Sequence, residues 1–323
     1  MTIPYKGTVR YPGPIGMSPG GIGGRLPGPL GFGGLVVSQS SVTKVVTKST
    51  TMPPPTNTST QIEARQVDWK LFPGAPAVTD VRQGELATCP IASILAALAH
   101  TEWGRDRIKG KKGIVKEVKA PAGVKTTLSA AVVKQISSTD PDDRKQKNDL
   151  ISDRYFTVAL KDPPLEVSDV FYVEYTDGTI MDPLYMQHRP SMSPEKAREA
   201  LWPAVIEKAY AHMIGNYEKL DDYGPKGITV DVYWTAIVGS KPTTIHIKED
   251  TDLSIIRKAA EAASRLATIG ASRETTTKVS DKHGYAVLGI QGSRIELYDP
   301  WGKSVKITLE EFRTDFSHIF QKA

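Results

Sequence analysis

The sequence predicts an α+β fold, in which helices in the first part of the chain precede an antiparallel β-sheet. One helical pattern starts at Cys89, and a second starts at the sequence Ser193-Pro194-Glu195. From Gly227 onward, short runs of alternating apolar and polar residues are typical of strands with one buried face. These three observations indicate helices and strands that are largely segregated along the chain.

Residues 1–60 are predicted to form a disordered tail. Gly and Pro dominate residues 11–34, and residues 38–60 are rich in Ser and Thr. Such a segment cannot bury enough apolar area to offset the entropy lost on ordering. The tail contains five basic residues and no Asp or Glu, so it accounts for the whole net charge of +5. It lacks the pattern of a secretory signal peptide and is compatible with a plain linker or with a targeting or translocation segment of a delivered effector.

The composition is that of a soluble globular protein, with 39% hydrophobic and 24% charged residues in a chain of 323. No run of apolar residues approaches the roughly 18 needed for a membrane span. A single cysteine excludes an intrachain disulfide, so the fold does not depend on an oxidising compartment. We therefore expect a cytoplasmic protein, or one delivered into a reducing cytosol, without a membrane span or a nucleic-acid partner. The oligomeric state stays open.

The segment Gln83 to His100 contains the only cysteine, Cys89, followed by Pro90 and a run of Ile, Ala and Leu. Pro is favoured at the first position of a helix, and a helix that is apolar on all sides is a buried one. Cys89 is therefore expected at the N-terminus of a core helix, where the helix dipole favours a thiolate. Taken alone, this pattern fits a buried structural cysteine better than a nucleophile.

The rest of the chain supplies further elements. We expect strands at 156–160 and 170–175, a turn at Asp177-Gly178, a short helix at 127–136, and a helix from Ser193 whose buried face includes Trp202. In the β part we expect strands at 228–238, 243–247, 283–290 and 294–298, and a helix at 252–269. Glu207 and Lys208 are expected to be solvated or structural.

His283 and Asp299 are candidate partners of Cys89. The tight turn Gln291-Gly292-Ser293 joins the strand that follows His283 to the strand that ends at Asp299. A hairpin of this kind places the two side chains at the same end of a sheet. Nucleophile, base and orienting carboxylate then follow one another as Cys, His and Asp, and such a triad is recognised by roles and geometry.

Five segments, in order, resemble the catalytic core of the calpains, which are papain-like cysteine proteases. QGELATCPIASILAAL is similar to their active-site segment, HGYAVLG to their His-Ala-Tyr strand, and YDPWG to their Asn-Pro-Trp-Gly sequence. LWPAVIEKAYAHMIGNYEKL resembles their Trp-x-x-Leu-Leu-Glu-Lys-Ala-Tyr-Ala helix, and ITLEEFRTDFSHIF resembles the segment that closes the core. The resemblance covers roughly residues 80–320.

The resemblance implies a papain-like α+β protease domain at residues 65–323. A mainly helical lobe would span about 65–215, and an antiparallel β lobe would span about 225–323, with the active site in the cleft between them. Cys89, His283 and Asp299 would be catalytic, and Trp301 would shield the base from water. Gln83, six residues before Cys89, would form the oxyanion hole together with the Cys89 backbone N–H, because a tetrahedral intermediate needs donors already in place. The tail could then also be an inhibitory pro-segment.

The chain departs from the calpain pattern in several positions. Pro90 stands where calpains carry Trp after the cysteine, Ala87-Thr88 replaces Gly-Asp, and Asp299 replaces Asn. Asp is competent to orient the imidazole. A calcium-loop sequence is absent and the turn at Gly292 is tight, so we expect no cofactor and no calcium dependence.

The sequence therefore predicts a cysteine endopeptidase that cleaves extended or disordered protein segments through a Cys-His-Asp triad. Two alternatives stay open. The same triad suits deamidation or acyl transfer at Gln side chains, and a catalytically silent chain of this family would be a peptide-binding module. Mass spectrometry separates the first alternative from proteolysis, and an unreactive Cys89 would favour the second.

Overall fold

The computed structural model describes residues 61–66, 69–84, 86–119, 126–127, 151–152, 154–176, 180–183, 200–215, 220 and 230–323. The predicted tail at 1–60, the turn at Asp177-Gly178, the helix start at Ser193 and nearly all of the helix at 127–136 lie outside these residues. None of the helices in the described part of the chain combines the length and the apolarity needed to span a bilayer.

The described residues combine helices with antiparallel sheets, as an α+β class requires. The helices are α1 (Cys89–His100), α2 (Glu102–Lys109), α3 (Trp202–Ile214), α4 (Val230–Val238), α5 (Leu253–Ala262) and α6 (Leu309–Asp315). A short 3-10 helix at Val78–Asp80 precedes α1.

The largest sheet in the described part of the chain has six strands, in the order β13-β12-β11-β10-β14-β9. Its strands are β9 (Pro242–His246), β10 (Thr268–Ser272), β11 (Gly284–Gln291), β12 (Arg294–Asp299), β13 (Lys303–Thr308) and β14 (Phe316–Lys322). Every adjacent pair in this sheet is antiparallel. The strands predicted at 243–247, 283–290 and 294–298 are thereby confirmed to within two residues.

Three small antiparallel sheets lie earlier in the chain, in the orders β1-β7-β8, β2-β5-β6 and β3-β4. Their strands are β1 (Gln61–Gln66), β2 (Val115–Lys119), β3 (Thr126–Thr127), β4 (Ile151–Ser152), β5 (Arg154–Val158), β6 (Leu165–Ser168), β7 (Val170–Thr176) and β8 (Ile180–Pro183). Among the described residues of 65–215, strands β2 to β8 accompany the three helices α1, α2 and α3. The division of the domain into a mainly helical lobe and a β lobe stays a prediction. The strands predicted at 156–160 and 170–175 are found as β5 and β7.

One element and one boundary differ from the prediction. Residues 230–238 form helix α4 rather than a strand, and the predicted helix at 252–269 ends at Ala262, before β10. The sequence of α4 is rich in β-branched and aromatic residues, which favour strands locally. Its buried residues Tyr233, Trp234, Ile237 and Val238 nevertheless recur at helical spacing, so packing of that face overrides local propensity.

Helix α3 starts at Trp202, because Ala200 forms a bridge with Lys70 before it. Glu207 and Lys208 are both buried in this helix, so the expectation that they are solvated is wrong. The Nζ of Lys208 donates to the carbonyl oxygen of Ser168 at 2.9 Å, which supports the structural alternative. Burial lowers the pKa of Lys208 to about 7, although Asp169 acts in the opposite direction.

Helix α1 lies at the centre of the larger hydrophobic core. Its residues from Ile91 to Ala99 are all buried, and it contacts the six-stranded sheet at β11 and β10 as well as helices α2, α3 and α4. A second core lies between the sheet and helices α5 and α6, with Phe312 and Phe316 stacked at a centroid distance of 4.0 Å. The prediction of a buried helix that starts at Cys89 is confirmed.

Candidate active site

Cys89 is the first residue of helix α1. Thr88 occupies the N-cap position, and Pro90 lies in the first turn, where its missing N–H leaves no hydrogen bond unmade. Cys89 is a free thiol of intermediate exposure. The buried run of the helix begins two residues later, at Ile91, so the sulfur lies at the boundary between the core and the surface.

His283 and Asp299 meet at one end of the hairpin β11–β12. The turn is two residues long, because Gln291 pairs directly with Arg294, and Gly292 adopts the positive φ of 62° that such a turn requires. His283 directly precedes β11 and Asp299 ends β12, and the His283 Nε2 lies 3.0 Å from the Asp299 Oδ1. A carboxylate only accepts hydrogen bonds, so Nε2 carries a proton and donates a hydrogen bond to Asp299.

Four further contacts hold His283 in place. The backbone N–H of His283 donates to Ser272 Oγ at 2.8 Å, and the Ser272 N–H donates to the His283 carbonyl oxygen at 2.9 Å. The Trp301 ring stacks on the imidazole with 12° between the planes and 6.4 Å between the centroids. The Tyr285 ring meets the imidazole edge-on at 5.0 Å. His283 and Asp299 are consequently 8% and 7% exposed.

Asp299 is itself held in place by Trp301, whose backbone N–H donates to the same Oδ1 at 2.9 Å. That oxygen therefore accepts from both His283 and Trp301. Trp301 thus provides both this hydrogen bond and the ring that stacks on the imidazole. One residue therefore orients Asp299 and shields His283. Hydrogen bonds of a carboxylate are stronger when water is excluded in this way.

Gly284 brings this hairpin against helix α1. A Cβ at position 284 would lie 2.8 Å from Ser93 Oγ and 3.2 Å from the Cys89 carbonyl oxygen, so only glycine allows the strand and the helix to approach this closely. The approach places His283 beside Cys89, and the interaction with the Cys89 side chain is one of the causes that raise the pKa of His283. Since Nε2 is engaged by Asp299, Nδ1 is the ring nitrogen that remains for the sulfur.

The charged form of His283 is stabilised by these neighbours. Burial alone would lower its pKa, but the hydrogen bonds to Asp299 and Cys89 and the attraction of both groups outweigh it and raise the pKa to about 9. The imidazole is therefore protonated at neutral pH. Burial also raises the pKa of Tyr285 to about 12, which keeps its phenol neutral as an acceptor for the Ser280 N–H at 2.7 Å.

Gln83 is buried in the segment that leads to Cys89. Its backbone N–H donates to the Pro300 carbonyl oxygen at 2.9 Å, which ties this segment to the turn that follows Asp299. Its side-chain Nε2 donates to the Leu86 carbonyl oxygen at 2.8 Å. One of the two hydrogens on Nε2 is thus used within the segment, and the second is not engaged by another described residue.

Three buried polar atoms of the same segment lack a partner among the described residues. The Oε1 of Gln83, the Oγ1 of Thr88 and the Nε of Arg82 are enclosed and form no hydrogen bond with the described residues. Each such atom costs free energy in a folded protein, and most buried polar groups are paired. In the segment that leads to Cys89, these three atoms are left for water or a ligand to pair.

The model of the calpain family cysteine proteases matches residues 171–318. Over these residues the chain is similar to the calpain family, which supports a calpain-like cysteine protease. The match confirms the resemblance inferred from the sequence and supports a cysteine-type endopeptidase. It includes His283 and Asp299 of this calpain-like protease, and it begins after Gln83 and Cys89. No curated protein matches the chain.

The structure brings Cys89, His283, Asp299 and Trp301 of the calpain-like protease together, as the sequence predicts. Sequence reasoning missed Ser272, the packing role of Gly284 and the burial of Arg82. A glycine inside a strand pattern often marks a close approach of another backbone, so Gly284 carried a usable signal. Ser272 and Arg82 carried none, because their roles arise from contacts with residues distant in the chain.

Proposed function

We propose that Cys89, His283 and Asp299 form the catalytic triad of this cysteine endopeptidase, in a papain-like two-lobed domain at residues 65–323. The observation that supports this most is that His283 interacts with Cys89 and Asp299 at the same time. An imidazolium beside the sulfur favours the thiolate–imidazolium pair that thiol proteases use. Asp299 holds the proton on Nε2 and so leaves the other nitrogen to serve the sulfur.

The proposed reaction is acyl transfer through a thioester. The Cys89 thiolate attacks the scissile carbonyl carbon, and the oxyanion accepts hydrogen bonds from the Cys89 backbone N–H and the second Nε2 hydrogen of Gln83. His283 gives its proton to the leaving amine, which is the N-terminus of the released product. Neutral His283 then takes a proton from water, the hydroxide attacks the thioester, and the acid product leaves as Cys89 recovers the thiolate.

The proposed substrates are extended or disordered protein segments, because a peptide must lie in a cleft as a strand for its carbonyl to reach Cys89. We also propose that activity does not need calcium. In support, only two residues join β11 to β12, which leaves no room for an acidic metal-binding loop there. The tail at residues 1–60 is proposed to direct delivery or to restrain the enzyme, and removal of the tail separates these roles.

Casein, an unfolded protein, is the substrate for the first test. The full chain, a form without residues 1–60 and the Cys89→Ala variant are each incubated with casein, in EDTA and in calcium. Cleavage in EDTA that disappears in Cys89→Ala is the expected result. A higher rate without the tail would identify the tail as inhibitory, whereas an equal rate would favour a role in delivery.

Other outcomes would overturn parts of the proposal. Activity that survives in Cys89→Ala would exclude the triad, and cleavage only in calcium would exclude calcium independence. Mass spectrometry of the casein distinguishes new termini from a gain of about 1 Da at Gln, the mass change of an amide becoming an acid. The second outcome would assign the triad to deamidation, a chemistry for which Asp299 in place of Asn is equally suited.

A further inference from the structure

Arg82 lies in the segment that connects the two halves of the candidate site. Its two neighbours in sequence, Val81 and Gln83, form hydrogen bonds with residues at the end of strand β12. The Val81 carbonyl oxygen accepts from the Tyr298 hydroxyl at 2.8 Å, and the Gln83 N–H donates to the Pro300 carbonyl oxygen at 2.9 Å. Arg82 is therefore fixed beside the turn that carries Asp299 and Trp301, and it is only 6% exposed.

The guanidinium of Arg82 packs directly against Gly302. A Cβ at Gly302 would lie 2.3 Å from Nη1 and 2.5 Å from Cζ of Arg82, and the φ of Gly302 is +87°. Both facts require glycine at this position. The Gly302 N–H donates to the Asp299 carbonyl oxygen at 2.7 Å, so the surface that supports the guanidinium is part of the same turn as the catalytic carboxylate.

Arg82 has no counter-ion in the described part of the chain. Its Nε is enclosed without an acceptor, and the two terminal nitrogens, which form no hydrogen bond there either, reach the surface. Burial of a guanidinium removes its hydration, and without a carboxylate no interaction compensates for that free-energy cost. Violations of this kind are expected at functional sites, where a ligand completes the pairing.

We propose that Arg82 is a specificity-determining residue that binds the carboxylate of an acidic side chain close to the scissile bond of the substrate. The planar guanidinium matches a carboxylate through two parallel hydrogen bonds, and the anion would supply the missing charge. The inference rests on the proposed function, since it needs a peptide in the cleft. Residues 1–60 contain no Asp or Glu, so a substrate rather than the tail provides the carboxylate.

The test uses a peptide that spans a cleavage site mapped in casein and the same peptide with its acidic residues near that site changed to the isosteric amides. Loss of a hydrogen bond to a charged group lowers kcat/KM by about tenfold or more. For the wild-type protease we therefore expect the ratio of kcat/KM on the acidic peptide to kcat/KM on the amide peptide to be about ten or more. In Arg82→Gln this ratio should fall to about one, because kcat/KM decreases on the acidic peptide alone. Arg82→Lys should give an intermediate ratio, because an ammonium keeps the charge without the planar geometry of the guanidinium.

Two controls separate specificity from structure. Glu85, an acidic residue three positions after Arg82, is changed to Gln, and this variant should keep the wild-type ratio. Thermal unfolding of Arg82→Gln should show no large decrease in Tm, because no paired group in the described chain is left without a partner. A large decrease in Tm with an equal loss on both peptides would mark Arg82 as structural and overturn the proposal.

The outcomes distinguish this inference from the triad itself. If the wild-type protease cleaves both peptides equally and Cys89→Ala cleaves neither, the triad stands and the role of Arg82 is wrong. If mapped sites lack nearby Asp and Glu, the role of Arg82 is also wrong. If the wild type cleaves no substrate, both proposals fail together.

Discussion

The Cα of Gly284 lies so close to Ser93 that a Cβ on the glycine would be 2.8 Å from the serine Oγ. Ser93 is the fifth residue of α1, and its hydroxyl donates to the Pro90 carbonyl oxygen at 3.0 Å. This contact is where the six-stranded sheet meets the start of the core helix. It determines how far His283, one residue before Gly284, lies from Cys89.

We predict that Gly284→Ala destabilises the protein and reduces its activity. Overpacking of a tight contact costs about 1–3 kcal/mol. A displacement of the imidazole by about 1 Å can lower the rate by roughly a hundredfold. Urea unfolding measures the first effect, and kcat/KM measures the second.

The matched control is the double variant Gly284→Ala with Ser93→Ala, in which the closest atom has been removed. Part of the lost stability and activity should return in it, relative to the sum of the two single changes. Strict additivity of the single variants would show that the contact between strand and helix does not set the position of His283.

The stability of the folded state should decrease as the pH rises. The folded pKa of His283 is about 9, above the ordinary value of 6.5, so the imidazolium contributes stability that is fully present below pH 6.5 and lost as the pH rises through 9. The difference corresponds to about 3 kcal/mol. The free energy of unfolding in urea, measured across this pH range, checks the sign and the size.

Asp299→Asn is the variant that tests the cause of this shift. The amide keeps a hydrogen-bond acceptor near Nε2 and removes the negative charge, so the His283 pKa should fall and the pH dependence of stability should weaken. The alkaline limb of the activity profile should move to lower pH for the same reason. An unchanged profile would mean that Asp299 does not stabilise the imidazolium.

Trp202 should matter more to stability than Trp234, although both side chains are fully buried. The indole N–H of Trp202 donates to Asp80 Oδ2 at 2.9 Å, whereas that of Trp234 forms no hydrogen bond in the described structure. Trp202→Phe deprives a buried carboxylate of a donor, at a cost of about 1–3 kcal/mol beyond the lost volume. Trp234→Phe loses volume alone, and equal unfolding midpoints for the two variants would contradict the prediction.

Asp315 should be required to order the loop at 273–282, which leads to His283. This fully buried carboxylate accepts hydrogen bonds from the backbone N–H groups of Thr277 at 3.0 Å and Lys278 at 2.8 Å. Asp315→Ala should lower the free energy of unfolding by about 3 kcal/mol, because both donors lose a charged acceptor. The loop at 273–282 should become more sensitive to limited proteolysis, and kcat should fall.

Asp252→Ala is the control for Asp315. Asp252 caps helix α5 by accepting from the Ser254 N–H at 2.8 Å, at a site remote in sequence from the His283 loop. We expect a smaller loss of stability and unchanged activity. A similar loss of activity in both variants would show that the effect of Asp315 is a general one on folding.

Local sequence chemistry predicted much of the site. The two-residue turn at Gly292 specified the β11–β12 hairpin, and a hairpin of this length is sufficient to place His283 and Asp299 at one end of a sheet. Local chemistry failed at residues 230–238, where β-branched residues favour a strand and the burial of one face makes a helix. It also carried no sign that Arg82 is buried without a counter-ion, because burial depends on what the rest of the chain places around a residue.

The sequence by itself determined that a lone cysteine begins an apolar helix and that a histidine and an aspartate share the end of a hairpin. Proline, glycine and hydrophobic spacing act over a few residues, so these features can be read without the fold. Only the tertiary structure decided that β11 packs on α1 at Gly284, which brings His283 to Cys89. That contact joins residues far apart in the chain, and its geometry depends on how tightly the helix and the sheet pack around one shared core.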